Sequence, residues 1–161
     1  MKGEQAFIKL IKENEGIIYK ITRIYTNNQE SQKDLYQEIV YQLWKAFNAF
    51  KGNSKVSTWM YRIALNTALI HLKIKKKGGY SVPLEGIVLK QESYDPLFEE
   101  RLEVLYANIG NLGDVDKGII FLFLEGKKYE EISLITGLTT SNVGTRMIRI
   151  KDKLKAQIIK N

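Results

Sequence analysis

Apolar residues recur along most of this chain at the three- and four-residue spacing of amphipathic α-helices, and no segment shows the sustained alternation of a β-strand. The strongest stripe follows Asp34 and consists of Leu35, Ile39, Leu43, Phe47 and Phe50, widened by Tyr36, Val40 and Trp44. Upstream of it, the pattern predicts one helix around Phe7 and either its continuation or a second helix after Gly16. The sequence therefore predicts an all-α fold.

Polar residues and a glycine at positions 51–54 end this stripe. The next helix is expected to begin near Ser57 or Thr58, both acceptable N-caps, and to run to Gly78. Its core-facing positions are expected to be Met60, Ile63, Thr67 and Ile70.

Residues 78–97 contain both prolines, Pro83 and Pro96, with glycines and no clear period, so we interpret them as a linker. Apolar residues then predict a helix from about Phe98, and Asp114 is a candidate cap for another that ends at Gly126. The predicted organisation is two small helical domains, residues 1–77 and 98–161, joined by the linker 78–97.

Residues 129–149 have the spacing of a helix-turn-helix. Ser133 is small enough for two helices to cross closely there, and Gly137 suits the left-handed conformation that a tight reversal needs. The second helix carries an aliphatic stripe: Leu138, Val143, Met147 and Ile150. Its outer face carries hydroxyl, amide and guanidinium groups that suit base edges and phosphates, and we predict upstream DNA contacts from them: Thr140, Ser141, Asn142, Thr145, Arg146 and Arg149. An ordinary helical hairpin with a solvated polar face is the alternative.

The charge of the chain is consistent with nucleic-acid binding. The 161 residues have a formal net charge of +7 and a pI of about 9.4. Residues 1–77 hold 14 Lys and Arg against 6 Asp and Glu, whereas residues 78–116 hold 2 against 8 and residues 117–161 hold 9 against 4. Two basic blocks therefore flank an acidic middle.

Several other classes of protein are disfavoured. The chain has no cysteine, and His71 is its one histidine, so neither a thiolate or histidine metal site nor a Ser/His/Asp relay is expected. No apolar stretch is long enough for a signal peptide or a membrane span. We predict a cytoplasmic protein that is not an enzyme, is not inserted in a membrane and needs no cofactor or metal.

Three segments together resemble the extracytoplasmic-function (ECF) sigma factors of the sigma-70 family: DLYQEIVYQLWKAFNAF, then KGNSKVSTWMYRIALNTALIHLKIKKK, and the C-terminal YEEI and GLTTSNVGTR. The resemblance spans nearly the whole chain. It implies a bacterial promoter-specificity subunit that binds core RNA polymerase, directs it to promoter DNA and helps open the duplex. Sigma region 2 would then occupy residues 1–77, and region 4 would occupy residues 98–161. An anti-sigma factor is an expected further partner.

The resemblance also implies roles for particular residues. Core polymerase would be bound by Asp34, Gln37, Glu38 and Tyr41, for which a solvated helix face is the alternative. The downstream promoter element would be read and melted by Asn53, Ser54, Trp59, Tyr61, Arg62, Asn66, Lys73 and Lys75. Trp59 and Tyr61 are either stacking platforms for unpaired bases or core residues, and the sequence leaves this open.

Gly144 departs from the family pattern, since many members carry a basic residue there. A second function remains open at this point: a stand-alone helix-turn-helix regulator that binds an operator as a dimer.

Overall fold

The computed structural model describes residues 3–76 and 96–160, and over those residues it contains eight α-helices and no strand. The chain divides into two compact units, Met1–Leu89 and Lys90–Asn161. The predicted all-α fold is confirmed. Most of the predicted linker, residues 78–95, lies outside the described residues, and the first helix after it begins at Pro96, a residue type favoured at the first helical position.

The first unit contains α1 (Glu4–Glu13), α2 (Glu15–Tyr25), α3 (Gln29–Phe47) and α4 (Val56–Lys76). Helix α3 packs against both α2 and α4, and α1 lies against α3. All four helices contribute buried apolar side chains to one core: Phe7, Ile18, Ile21, Ile24, Tyr25, Leu35, Tyr36, Ile39, Leu43, Phe47, Trp59, Met60, Tyr61, Ala64, Leu65 and Ala68.

Several helix boundaries differ from the sequence expectation. Helix α3 ends at Phe47 and not at Phe50, and Gly113, not Asp114, is the N-cap of the helix that begins at Asp114. Helix α3 begins at Gln29 and not at Asp34, because the Asn28 side chain caps it by accepting a 2.8 Å hydrogen bond from the Ser31 N–H. The break between α1 and α2 falls at Asn14 and not at Gly16. The Asn14 side chain donates a 2.9 Å hydrogen bond to the Leu10 carbonyl and so satisfies the end of α1.

One residue expected in the core lies at the surface. Ile70 is 56% exposed, because the buried face of α4 passes through Ala64, Leu65 and Ala68. Trp44, expected to widen the stripe of α3, is also exposed on one side, although its ring packs against Phe7 with centroids 5.0 Å apart.

The second unit contains α5 (Pro96–Gly110), α6 (Asp114–Leu124), α7 (Tyr129–Thr136) and α8 (Thr140–Lys160). Helices α6, α7 and α8 pack against one another, and α5 lies against α6 and α8. Its buried apolar side chains are Ile109, Leu112, Ile119, Ile120, Phe121, Leu122, Ile132, Ile135, Val143, Met147 and Ile150. This core fixes α8 with one face inward and the other toward solvent.

Candidate nucleic-acid interface

The turn between α7 and α8 has the geometry expected of a helix-turn-helix. Gly137 ends α7 in the left-handed conformation with φ 82°, and its N–H donates to the Ser133 carbonyl over 2.9 Å. The Ser133 hydroxyl donates to the Leu138 carbonyl over 2.5 Å, so this small residue also closes the turn. Thr139 then caps α8 by accepting a 3.1 Å hydrogen bond from the Asn142 N–H.

Helix α8 buries one apolar stripe and exposes its other face, which is polar except for Ile148, 66% exposed. Val143, Met147 and Ile150 are fully buried. Five of the six predicted upstream-contact residues are exposed: Thr140, Ser141, Asn142, Thr145 and Arg149. The Thr145 hydroxyl donates to the Ser141 carbonyl over 3.1 Å, and its oxygen can still accept a hydrogen bond.

Arg146, the sixth, is placed differently. It lies about 60° around the helix from Val143, at the edge of the buried face. Its Nη1 donates to Asp116 Oδ1 of α6 over 3.0 Å in an ion pair whose side chains are 34% and 18% exposed. The sequence pattern indicated that Arg146 faces outward but contained no sign of this carboxylate partner.

The polar loop 51–55 is part of the connection between α3, which ends at Phe47, and α4, which begins at Val56. Gly52 has φ 76°, a conformation that favours glycine, and Asn53 is exposed. Ser54 is half-buried, and its hydroxyl donates to the Lys55 carbonyl over 3.3 Å. The loop therefore presents one amide and one hydroxyl side chain from a backbone that turns sharply.

Trp59 and Tyr61, whose roles the sequence left open, are both buried in the core of the first unit. The Trp59 ring lies against Phe47 and Phe50, with centroids 6.4 and 4.8 Å away. A ring packed in this way is not available to stack on a base unless it leaves the core. In this conformation the structure favours the core interpretation for both residues.

The remaining predicted downstream-contact residues lie along α4. Arg62, Asn66 and Lys73 are exposed and share one face of the helix. Lys75 is half-buried, and its Nζ donates to the Ser31 Oγ at the start of α3 over 2.8 Å. Three of the four side chains are thus exposed, and the Lys75 ammonium group is hydrogen-bonded to the start of α3.

The four predicted polymerase-binding residues of α3 are divided between core and surface. Asp34 and Gln37 are buried, Glu38 is half-buried, and Tyr41 is 53% exposed. Glu38 accepts a 3.0 Å hydrogen bond from the Gln42 side chain. Tyr41 and Glu38 are therefore the two members of this set best placed to meet a partner without rearrangement.

A groove of about 770 Å³ lies between α1 and α3 beside these residues. Apolar side chains make up most of its wall: Phe7, Ile8, Val40, Tyr41 and Trp44, with Glu4, Gln37 and Glu38 at its polar positions. From the sequence, Val40 and Trp44 were expected to widen the buried stripe of α3 and not to line a groove. The sequence did contain a sign of this groove. The α3 stripe is apolar on both flanks, so it is wider than one helix face can bury.

His71 faces a charged cluster on α4 and α3. Burial lowers the pKa of His71 below its usual value, and Lys75 lowers it further, whereas Glu38 and Asp34 act in the opposite direction. Its Nε2 is buried and has no hydrogen-bond partner among the described residues. The lowered pKa therefore favours the neutral imidazole.

Within residues 3–76 and 96–160 no group of three or more His, Cys, Asp or Glu side chains is arranged to hold a metal ion. No helix of that described part is long and apolar enough to cross a membrane.

The chain is similar to known sigma factors over nearly its whole length. A family model described as sigma-70 region 2 matches residues 10–77. The ECF RNA polymerase sigma-E factor of Escherichia coli strain K12 is 27% identical over 171 aligned residues, which cover 98% of this chain and 89% of that protein. The sigma-E factor of Haemophilus influenzae is 26% identical, with 96% of this chain and 88% of that protein covered.

Two solved structures share the fold. CnrH, in complex with the cytosolic domain of CnrY, aligns with a TM-score of 0.72 at 18% identity and covers 99% of this chain and 91% of its own. The sigma factor RpoE of Bartonella quintana, in complex with the anti-sigma factor NepR, aligns with a TM-score of 0.67 at 16% identity and covers 96% and 95%. At these identities the structural likeness bears on the fold alone.

Proposed function

The chain belongs to the ECF sigma factors of the sigma-70 family, and we propose from this premise how its residues direct RNA polymerase to promoters. Helices α1 to α4 bind core polymerase and then read and melt the downstream promoter element. Helices α5 to α8 bind the upstream element. We place the linker between the domains at residues 78–95, two residues shorter than the expected 78–97, because Pro96 and Leu97 already belong to α5.

The observation that carries the upstream assignment is the exposed polar row on α8. Ser141, Asn142, Thr145 and Arg149 project from a helix whose opposite stripe is fully buried, so the row is presented on a rigid support. A helix of this kind fits the major groove, where amides and guanidinium groups discriminate base pairs by their hydrogen-bond patterns. The hydroxyl groups of Thr140, Ser141 and Thr145 are suited to phosphate contacts, which fix the position of the helix along the duplex.

The downstream assignment follows from the loop 51–55 and the exposed face of α4. Opening a duplex exposes unpaired bases, and a polar loop that turns at Gly52 can approach an extruded base closely. Asn53 and Ser54 supply hydrogen-bonding groups there, and Asn66 extends them along α4. Arg62, Lys73 and Lys75 supply positive charge for the phosphates. Trp59 and Tyr61 serve this surface by supporting it from the core.

The surface of α3 around Glu38 and Tyr41 is the proposed contact with core polymerase. Asp34 and Gln37 lie beneath it and fix its shape. Two of the similar folds were solved with bound partners, the cytosolic domain of CnrY and the anti-sigma factor NepR, and we propose that this chain is likewise bound by an anti-sigma factor until it is needed. We place its action in the cytoplasm, and we assign it no catalytic chemistry of its own.

The regulator alternative is less well supported, because the curated relatives are sigma factors over nearly the full chain. The two hypotheses predict different DNA binding in the absence of core polymerase. A sigma factor recognises its promoter when bound to core polymerase, whereas a dimeric regulator protects a palindrome by itself.

The test is in vitro transcription from genomic fragments with core RNA polymerase, with and without the chain. We expect discrete transcripts that need the chain, and binding of the chain to core polymerase in the absence of DNA. Arg149→Ala should weaken upstream-element binding by about 1 to 3 kcal/mol. Arg101→Ala is the matched control, because it removes the same charge from an exposed position on α5. Protection of a palindrome without polymerase would overturn the proposal.

A further inference from the structure

Among the residues that the structure describes, Arg146 is the one predicted upstream-contact residue on α8 with a charged partner from another helix. Asp116 Oδ1 accepts from its Nη1 over 3.0 Å, and its Nε is buried with no hydrogen-bond partner among the described residues. The inner edge of the guanidinium group is therefore enclosed between α6 and α8, while about a third of the side chain stays exposed.

The support beneath this pair is rigid. Asp116 lies in the first turn of α6, where the helix dipole stabilises a carboxylate. Helices α6 and α8 pack through side chains that are fully buried, including Ile119, Val143 and Met147. The carboxylate thus has a fixed position relative to the exposed face of α8.

A carboxylate in this position changes how an arginine meets DNA. A free surface arginine samples many rotamers and binds whichever phosphate is within reach. It therefore raises the affinity for every duplex to a similar extent, whatever its sequence. An arginine held at one Nη has its remaining donors aimed in one direction and loses less conformational freedom when it binds. The neighbouring negative charge also weakens its attraction for phosphates that lie out of register.

We propose that Asp116 is a positioning residue for upstream-element recognition: it aims Arg146 at a single contact and suppresses binding of duplexes that lack the element. The inference rests on the proposed function of α8. Asp116, an acidic residue outside the DNA-facing helix, would then contribute to the sequence specificity of binding.

The experiment measures the specificity ratio of the holoenzyme. A promoter selected by the wild-type holoenzyme from genomic fragments is compared with the same fragment carrying a scrambled upstream element, and the ratio of the two affinities is recorded. Asp116→Asn should lower this ratio by about three- to tenfold, chiefly by raising affinity for the scrambled fragment. Asp116→Glu, which retains the carboxylate, should lie nearer to wild type.

Asp114→Asn is the matched control, because Asp114 lies in the same helical turn and its ion partner is Lys117 at 3.8 Å. It makes the same change in net charge, so it should raise both affinities together and leave the ratio unchanged. In an Arg146→Ala background, Asp116→Asn should have no further effect on the ratio, since the two residues act as a unit.

The outcomes separate this inference from the function on which it rests. Equal ratios for Asp116→Asn and Asp114→Asn would overturn the positioning role, and so would an unchanged ratio in Arg146→Ala when Arg149→Ala lowers it. A wild-type holoenzyme with no preference for any upstream sequence would instead overturn the assignment of α8. Simple destabilisation by Asp116→Asn reduces the active fraction of the protein, lowers both affinities equally and leaves the ratio unchanged, which also counts against the proposal.

Discussion

The Phe50 ring stacks on the Trp59 ring, with centroids 4.8 Å apart and planes inclined by 29°. Phe50 precedes the polar loop 51–55, and Trp59 lies in the first turn of the helix that follows it. The stack therefore holds the two ends of the loop together. Because Trp59 is itself buried, the proposed base-binding loop is anchored directly to the core of the first unit.

Phe50→Leu should impair promoter opening while leaving binding of core polymerase intact. The substitution keeps an apolar side chain but removes the aromatic pair, which contributes about 0.5 to 1.5 kcal/mol. Open-complex formation, followed by permanganate reactivity of unpaired thymines, should fall several-fold. A promoter with a premelted downstream element is the control, and activity on it should be close to wild type. An equal defect on both templates would contradict a role in opening.

Asn66→Ala should relax base preference in the downstream element. The amide is exposed on α4, and a lost amide contact to a base edge costs about 1 to 3 kcal/mol of discrimination. The measurement is transcription from a library randomised in the downstream element, read by sequencing. Asn48→Ala, which removes an exposed amide at the end of α3, is the matched control. A uniform loss across all sequences would show that Asn66 is structural.

Lys73→Ala and Lys75→Ala should each reduce the salt dependence of promoter binding. A lysine that neutralises one phosphate contributes about 0.9 to the slope of log affinity against log salt. Lys75 must leave the Ser31 hydroxyl, 2.8 Å away, before it meets a phosphate, so its effect should be the smaller. Lys9→Ala removes an exposed charge on α1 and should leave the slope unchanged. If a variant has the same slope as wild type, the lysine that was replaced does not contact a phosphate.

The first unit should lose stability as the pH falls below the usual His71 pKa of 6.5. The pKa in the folded state is lowered, chiefly by burial and then by Lys75, so between the folded value and 6.5 the unfolded chain binds more protons. The free energy of unfolding therefore rises with pH through this window. Both tryptophans, Trp44 and Trp59, lie in the first unit, so their fluorescence in urea reports it selectively.

His71→Gln should flatten this pH dependence as the pH falls through 6.5, because the uncharged amide does not titrate. The remaining dependence would belong to carboxylates and would be common to both proteins. Superimposable pH profiles for wild type and His71→Gln would contradict the assignment.

Gly144→Ala should stabilise the second unit by about 0.5 to 1 kcal/mol, since alanine is the better helix former. An added Cβ would meet the Tyr129 ring at 3.8 and 3.9 Å, which is ordinary van der Waals contact. Thermal unfolding followed by circular dichroism measures the change. Gly137→Ala should have the opposite sign, because φ there is 82°. A destabilised Gly144→Ala variant would show that α8 needs glycine for another reason.

Local sequence was sufficient for most of the helices and for the helix-turn-helix. The stripe of Val143, Met147 and Ile150 has a period that identifies a helix and its buried face, and Gly137 marks the reversal by its backbone freedom alone. The outward position of Ser141, Asn142 and Arg149 follows from the same period. Capping was harder to anticipate, since Asn28 extended α3 by more than a turn beyond the expected start.

By itself the sequence determined the all-helical class, the spacing of the helix-turn-helix and the family resemblance, because each depends on residues close together along the chain. Only the tertiary structure decided that Trp59 is core, that Ile70 is exposed, and that Arg146 has Asp116 as its partner from 30 positions away. These outcomes depend on how neighbouring helices pack. A periodic pattern identifies the apolar face of a helix, but the neighbouring helices decide how much of that face is buried and which charges meet across it.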